Sequence, residues 1–157
     1  MKYTISYQNP NRHYIDIQLT LSTNNREKVK LQLPAWRPGR YELGNFAKNI
    51  QTFVAKDEKG AQSSVQKLTK DLWEIECANS TEVIVSYNYF ANELNAGSTF
   101  LDEKQLYMNP VNCLLYDSDH VEASCELQLN IPEDYQVAVA LSSSAKNCFL
   151  AKNFDEL

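Results

Sequence analysis

Cys113, Asp117 and His120 come nearest, by type and spacing, to a nucleophilic triad in this chain of 157 residues. A thiolate nucleophile needs a nearby base, and the base needs an orienting acid. The three lie close in sequence, but nothing around them marks an oxyanion site. Asn112-Cys113-Leu114-Leu115 reads as a buried strand, a setting in which a cysteine is inert. Cys77, Cys125 and Cys148 show no CxxC spacing. All four cysteines are expected as reduced core thiols.

Zinc hydrolysis needs at least three ligands and an activated water. The chain has two histidines, His13 and His120, far apart and without partners at ligand spacing. Gly39, Gly44, Gly60 and Gly97 fit neither a phosphate-cradling loop nor a dinucleotide fingerprint. The acidic pairs Asp57-Glu58, Asp102-Glu103, Glu133-Asp134 and Asp155-Glu156 fall at apparent turns or ends, where they read as solvated charge. No catalytic, cofactor-binding or metal-ligating residue is therefore expected in this chain.

What remains is the stretch Leu33-Pro34-Ala35-Trp36-Arg37-Pro38-Gly39-Arg40-Tyr41. Pro34 and Pro38 fix their own φ and push the residues before them towards extended backbone. Pro38-Gly39 suits the central positions of a type II turn. Trp36 and Tyr41 flank that turn. They are expected to plug the end of a β-sandwich, with Trp36 buried and Arg37 and Arg40 pointing outward. The competing reading makes Trp36, Arg37, Arg40 and Tyr41 an interdomain or ligand surface, with Trp36 partly exposed. The two guanidiniums could clamp a carboxylate or stack on the rings, or simply keep the turn solvated.

This stretch resembles the Pro-x-Trp-x-Pro-Gly-x-Tyr segment near the start of the glycyl aminopeptidase family of zinc metallopeptidases. Other pieces resemble the family in order: Tyr3 to Tyr7 with His13 to Leu21, Phe46 to Ile50, Gly60, Lys70, Trp73, Met108-Asn109-Pro110 and Phe154 to Leu157. Arg40 stands where the family often has Ser, and Gly44-Asn45 where it has an Arg-Asp pair. The resemblance implies a non-catalytic N-terminal β-domain over residues 1–157. A catalytic peptidase domain carrying the zinc would follow and is absent from this sequence. The partners implied are that catalytic domain and, indirectly, a peptide substrate.

The elements that would position the corner are strands. Ile15, Ile17, Leu19 and Leu21 alternate with polar residues, as do Tyr3, Ile5 and Tyr7, with Asn9-Pro10-Asn11 between them as a hairpin turn. Val29 to Leu33, Ile50 to Lys56, Ser63 to Leu68, Trp73 to Cys77 and Glu82 to Phe90 read likewise. So do Gln105 to Met108, Val111 to Tyr116, Val121 to Ile131 and Tyr135 to Leu141. This is the pattern of an all-β, antiparallel, saddle-like sandwich of about ten strands. Its core is expected to contain Ile15, Ile17, Leu19, Val85, Tyr87, Cys125, Leu127 and Val137.

Composition narrows the class. Twenty acidic residues against fifteen basic ones give a charge of −5, which argues against nucleic acid as a partner. No apolar run reaches the ~18 residues of a membrane span. No signal peptide is visible, so a cytoplasmic location is expected. The apolar-rich Cys148 to Ala151 is followed at once by the end at Leu157, which suggests a boundary between domains. Three functions compete: an accessory domain shaping access to a metalloaminopeptidase cleft, a free-standing binding module using Trp36, Tyr41 and Tyr107, and a small hydrolase. The missing catalytic groups disfavour the last.

Overall fold

Alternation of apolar and polar residues decides which face of each strand is buried. The computed structural model describes all 157 residues. Its strands are β1 (Lys2–Ser6), β2 (Tyr14–Ser22), β3 (Lys28–Gln32), β4 (Ile50–Asp57), β5 (Val65–Lys67), β6 (Leu72–Glu76) and β7 (Glu82–Phe90). They continue with β8 (Phe100–Leu101), β9 (Leu106–Tyr107), β10 (Tyr116–Asp117), β11 (Cys125–Asn130), β12 (Ser142–Ala145) and β13 (Cys148–Ala151). One short helix, α1 (Pro110–Cys113), and three 3-10 turns complete an all-β, sandwich-like fold.

The β1–β2 hairpin forms as expected. Pro10 opens a 3-10 turn capped by the Asn9 side chain, and His13 closes it in the left-handed region at φ 58°. A seven-stranded sheet runs in the order β12-β13-β11-β1-β2-β7-β4, and a four-stranded sheet in the order β10-β3-β6-β5. Their inner faces share one core. Tyr3, Ile5, Ile15, Ile17, Leu19, Val83, Val85 and Tyr87 come from the larger sheet, and Val29, Leu31, Trp73 and Ile75 from the smaller. Phe53 stacks on Trp73 with ring centroids 5.2 Å apart, so the indole that fills the core is Trp73.

Three expectations need correction. The larger sheet is mixed, because β1 and β11 are parallel, with Tyr3 opposite Leu127 and Ile5 opposite Leu129. The chain visits the smaller sheet at β10 before returning, and so enters beside β1 running the same way. Residues 111–116 are not one strand: Pro110 starts α1, as proline does at a first helical position. Buried tyrosines satisfy the irregular backbone that follows. The Tyr87 hydroxyl donates to the Cys113 carbonyl at 2.7 Å, and the Tyr3 hydroxyl to the Leu115 carbonyl at 2.8 Å.

The third correction concerns Val137. Tyr135 to Leu141 forms no strand, and Val137 is 38% exposed. The place at the sheet edge beside β13 belongs to β12, so this alternating stretch has no ladder to join. It borders a groove with Leu127, Leu129 and Phe149 instead. The other seven expected core residues are buried.

The aromatic corner as candidate functional site

The corner leaves the smaller sheet after β3. Leu33 is still fully buried, and its amide donates to the Asp71 carbonyl at 2.8 Å. Beyond it the two prolines carry the chain away from the sheet. The turn is closed by the Arg40 amide on the Arg37 carbonyl at 3.2 Å, with Gly39 at φ 81°, as a type II turn requires. A second bond, from the Gly44 amide to the Ala35 carbonyl, pinches the base of the loop. The Phe46 ring packs against Gly44 so closely that a Cβ there would collide with it.

The plug expected of this corner is not what forms. Trp36 is 52% exposed, Tyr41 93% and Leu43 79%. Trp73 and Phe53 already fill the core, and the pinched loop projects outward. Trp36 borders a shallow groove with Leu33, Pro34, Val111, Tyr116 and Phe154. Arg40 points outward as expected and pairs with Glu42 at 3.0 Å, an exposed pair that contributes little to stability.

Arg37 does not point outward. It is half-buried and lies against Gly97, and its Nη1 donates to the Ala96 carbonyl at 3.2 Å. The Tyr107 hydroxyl reaches the same carbonyl at 3.4 Å. On the other side of Gly97, Asn112 Nδ2 donates to the Gly97 carbonyl at 2.7 Å. Asn112 is fully buried, and its Oδ1 has no partner within the protein. Such an acceptor costs about 1–3 kcal/mol. Arg37, Asn112 and the turn Phe46–Asn49 enclose a recess of ≈ 300 Å³ beneath the corner. Sequence reasoning singled out Arg37 but not Asn112, although the apolar run from Cys113 to Leu115 did mark Asn112 as buried.

The possible triad does not assemble. Cys113 is buried, its Sγ turned to the Asn109 carbonyl at 3.6 Å, and burial pushes its thiol up to about 12. Asp117 and His120 do meet, at 3.2 Å, but the acid's main partner is Arg26 at 2.5 Å. Burial raises the Asp117 carboxyl. The Arg26 hydrogen bonds, the Asp119 amide and the Arg26 and His120 charges outweigh it, leaving the group below its usual range. Arg26 was not singled out in the sequence.

The histidines are engaged separately, His13 with the Leu101 carbonyl at 2.6 Å and His120 with Asp117. No three His, Cys, Asp or Glu side chains are grouped to hold a metal ion. All four cysteines are buried and unpaired. Asp57 and Asp102 accept amides of their own turns through Oδ1. No helix is long and apolar enough to cross a membrane.

The model of the peptidase M61 N-terminal domain matches residues 2–157. The chain belongs to that family. Its fold is similar to the crystal structure of an aminopeptidase N family protein from Idiomarina loihiensis, with a TM-score of 0.88 and 28% identity. That alignment covers 99% of this chain and 27% of the other, so this N-terminal domain spans about a quarter of that protein's length. Among curated proteins there is no match.

Proposed function

We propose that this M61 N-terminal domain is a non-catalytic accessory domain of a zinc metalloaminopeptidase of the glycyl aminopeptidase type. It packs on a catalytic domain that supplies the zinc and the peptide-binding cleft, and it walls one side of that cleft. The corner is the docking edge. The observation carrying this reading is that Trp36, Tyr41 and Leu43 are exposed together on a loop held by its own hydrogen bonds. Exposed apolar clusters on ordered backbone mark interaction sites, and Trp and Tyr are the residues interfaces favour. A preformed loop also loses little entropy on docking. Arg40, exposed and paired with Glu42, belongs to the polar rim of the edge.

The test is a polypeptide joining this chain to an M61 catalytic domain. Trp36→Ala/Tyr41→Ala is expected to lower kcat/KM for an aminopeptidase substrate at least about tenfold, as loss of an interface anchor does. The unfolding midpoint of the isolated chain should not move with it. Unchanged kcat/KM would remove the docking edge from the account. Peptidase activity in the isolated chain would overturn its accessory role.

A further inference from the structure

The two sheets present different outer faces. On the smaller sheet the outward positions are charged and paired: Lys28 meets Glu74 at 2.7 Å and Glu76 at 2.9 Å. Charge of this kind is the ordinary dress of a solvated face. On the larger sheet one row crosses five strands. Asn130 lies opposite Ser6, Ser6 opposite Asp16, Asp16 opposite Asn88 and Asn88 opposite Gln51. Two residues along, Thr4, Gln18 and Ser86 face one another on β1, β2 and β7. Amides and hydroxyls make up these positions, and Asp16 is their one charge.

This face is hollowed. Two grooves of ≈ 340 and ≈ 440 Å³ lie on it and share Gln8, Asp16, Thr52 and Asn88, so they form one depression. Each falls within the roughly 300–1,000 Å³ of ligand sites. Facing positions on neighbouring strands are about 5 Å apart, so an extended ligand reaches several of them at once. The hollow sits where β4 breaks register between Gln51 and Val54. Thr52, at the break, is at φ 51°, an outlier for a β-branched residue, and backbone held against its preference concentrates at ligand sites. The Thr52 hydroxyl donates to Asn88 Oδ1, and Asn88 Nδ2 donates to Asp16 Oδ1. This relay orients a half-buried carboxylate whose Oδ2 has no partner within the protein. Burial raises the Asp16 pKa, and no neighbouring cation offsets it. Beside Asp16 on β2, Tyr14 lines the groove, backed by Phe90 with ring centroids 5.1 Å apart.

Amides and hydroxyls both donate and accept, whereas a carboxylate only accepts. Sugar hydroxyls complement that set, and two adjacent ones can bond both oxygens of one carboxylate. An aromatic ring supplies the apolar surface on which a pyranose stacks. The strand spacing is close to the length of one hexose unit, so a sugar chain crossing the strands meets a polar position at each step. A peptide strand would instead seek the unpaired hydrogen bonds of a sheet edge. We propose that the outer face of the larger sheet binds a neutral oligosaccharide laid across β1, β2 and β7, with two adjacent hydroxyls on Asp16 and a pyranose ring against Tyr14. This site is independent of the docking edge and needs only the isolated chain.

The test is a titration of the ¹⁵N-labelled chain, followed by amide chemical shifts, with maltotetraose, cellotetraose, mannotetraose, glucose and tetraglycine as separate probes. At least one tetrasaccharide is expected to give saturable shifts at the side-chain amides of Asn88 and Gln18, with glucose at least about tenfold weaker. Asp16→Ala should weaken that binding at least about tenfold and Gln18→Ala several-fold. Both side chains point away from the core, so the spectrum's dispersion should stay native; if Asp16→Ala does not fold, Gln18→Ala decides. Trp36→Ala should bind as the parent does, which separates this site from the corner. No saturable shift with any tetrasaccharide, glucose or tetraglycine binding as tightly, full affinity in Asp16→Ala or Gln18→Ala, or lost affinity in Trp36→Ala would each overturn the proposal.

Discussion

The Arg37 guanidinium lies across Gly97, in the space that a Cβ at that position would occupy. This contact joins the aromatic corner to the loop that carries Ala96, and through Asn112 to the short helix α1. Gly97 is not in the left-handed region, so the space, and not the backbone, calls for glycine. Gly97→Ala should displace the end of a flexible side chain and cost little, about 0.5 kcal/mol. Gly39→Ala meets no neighbour, but Gly39 is at φ 81° and should cost about 1–2 kcal/mol. Urea unfolding of the two variants checks this order, and a reversed order would contradict it.

The two tryptophans should behave oppositely. Trp73 is 4% exposed and stacked on Phe53, so Trp73→Ala should cost about 3–5 kcal/mol, as loss of a buried aromatic does. Trp36→Ala should stay within about 0.5–1 kcal/mol, near the range of surface sites. Denaturation midpoints of both variants decide the matter. A large loss for Trp36→Ala would restore the plug.

The Asp117–Arg26 pair sets an acid limit. The carboxyl's folded pKa lies below its unfolded one, near ~3.9. Its stabilisation is therefore fully present above about pH 4 and is lost as pH falls through the lower folded value. Asp117→Asn should flatten the fall of stability in that acid window. At neutral pH it should cost about 2–4 kcal/mol, somewhat less than breaking a wholly buried pair, because Arg26 keeps Asp119 and part of its hydration. Urea midpoints measured across pH test both parts, and an unchanged acid slope would contradict the assignment.

The thiols should be quiet. Burial pushes the Cys113 thiol up to about 12 and also raises Cys77 and Cys125, and all four side chains are buried. A disulfide reagent at mildly alkaline pH should react slowly with native protein and release four equivalents only after denaturation. A fast equivalent in the native state would contradict the burial.

Much of the fold is legible in the sequence because alternation reports which side of a strand is buried. Ile15, Ile17 and Leu19 face inward for that reason. Pro38-Gly39 likewise announces its turn, since φ limits act locally. Alternation does not report the partner. Tyr135 to Leu141 carries large apolar residues at every second position but finds its edge occupied by β12, and the parallel pairing of β1 with β11 is a property of the path, not of either strand. At the site, the corner was visible through its prolines and rings. Its exposure was not, because Trp36 and Trp73 offer equal apolar area and only the assembled core shows which one fills it. Asn112 and Arg26 act through residues distant in sequence, and no local spacing marks them.

The central claim is that the corner is a docking edge, and Trp36 reports on it directly. The chain, labelled with 5-fluorotryptophan, carries two fluorine resonances, one from the exposed Trp36 and one from the buried Trp73. Adding an unlabelled M61 catalytic domain should shift the Trp36 resonance and shield it from solvent, leaving Trp73 in place. If neither resonance moves at saturating catalytic domain, or if Trp73 moves while Trp36 stays open to solvent, the corner is not the docking edge.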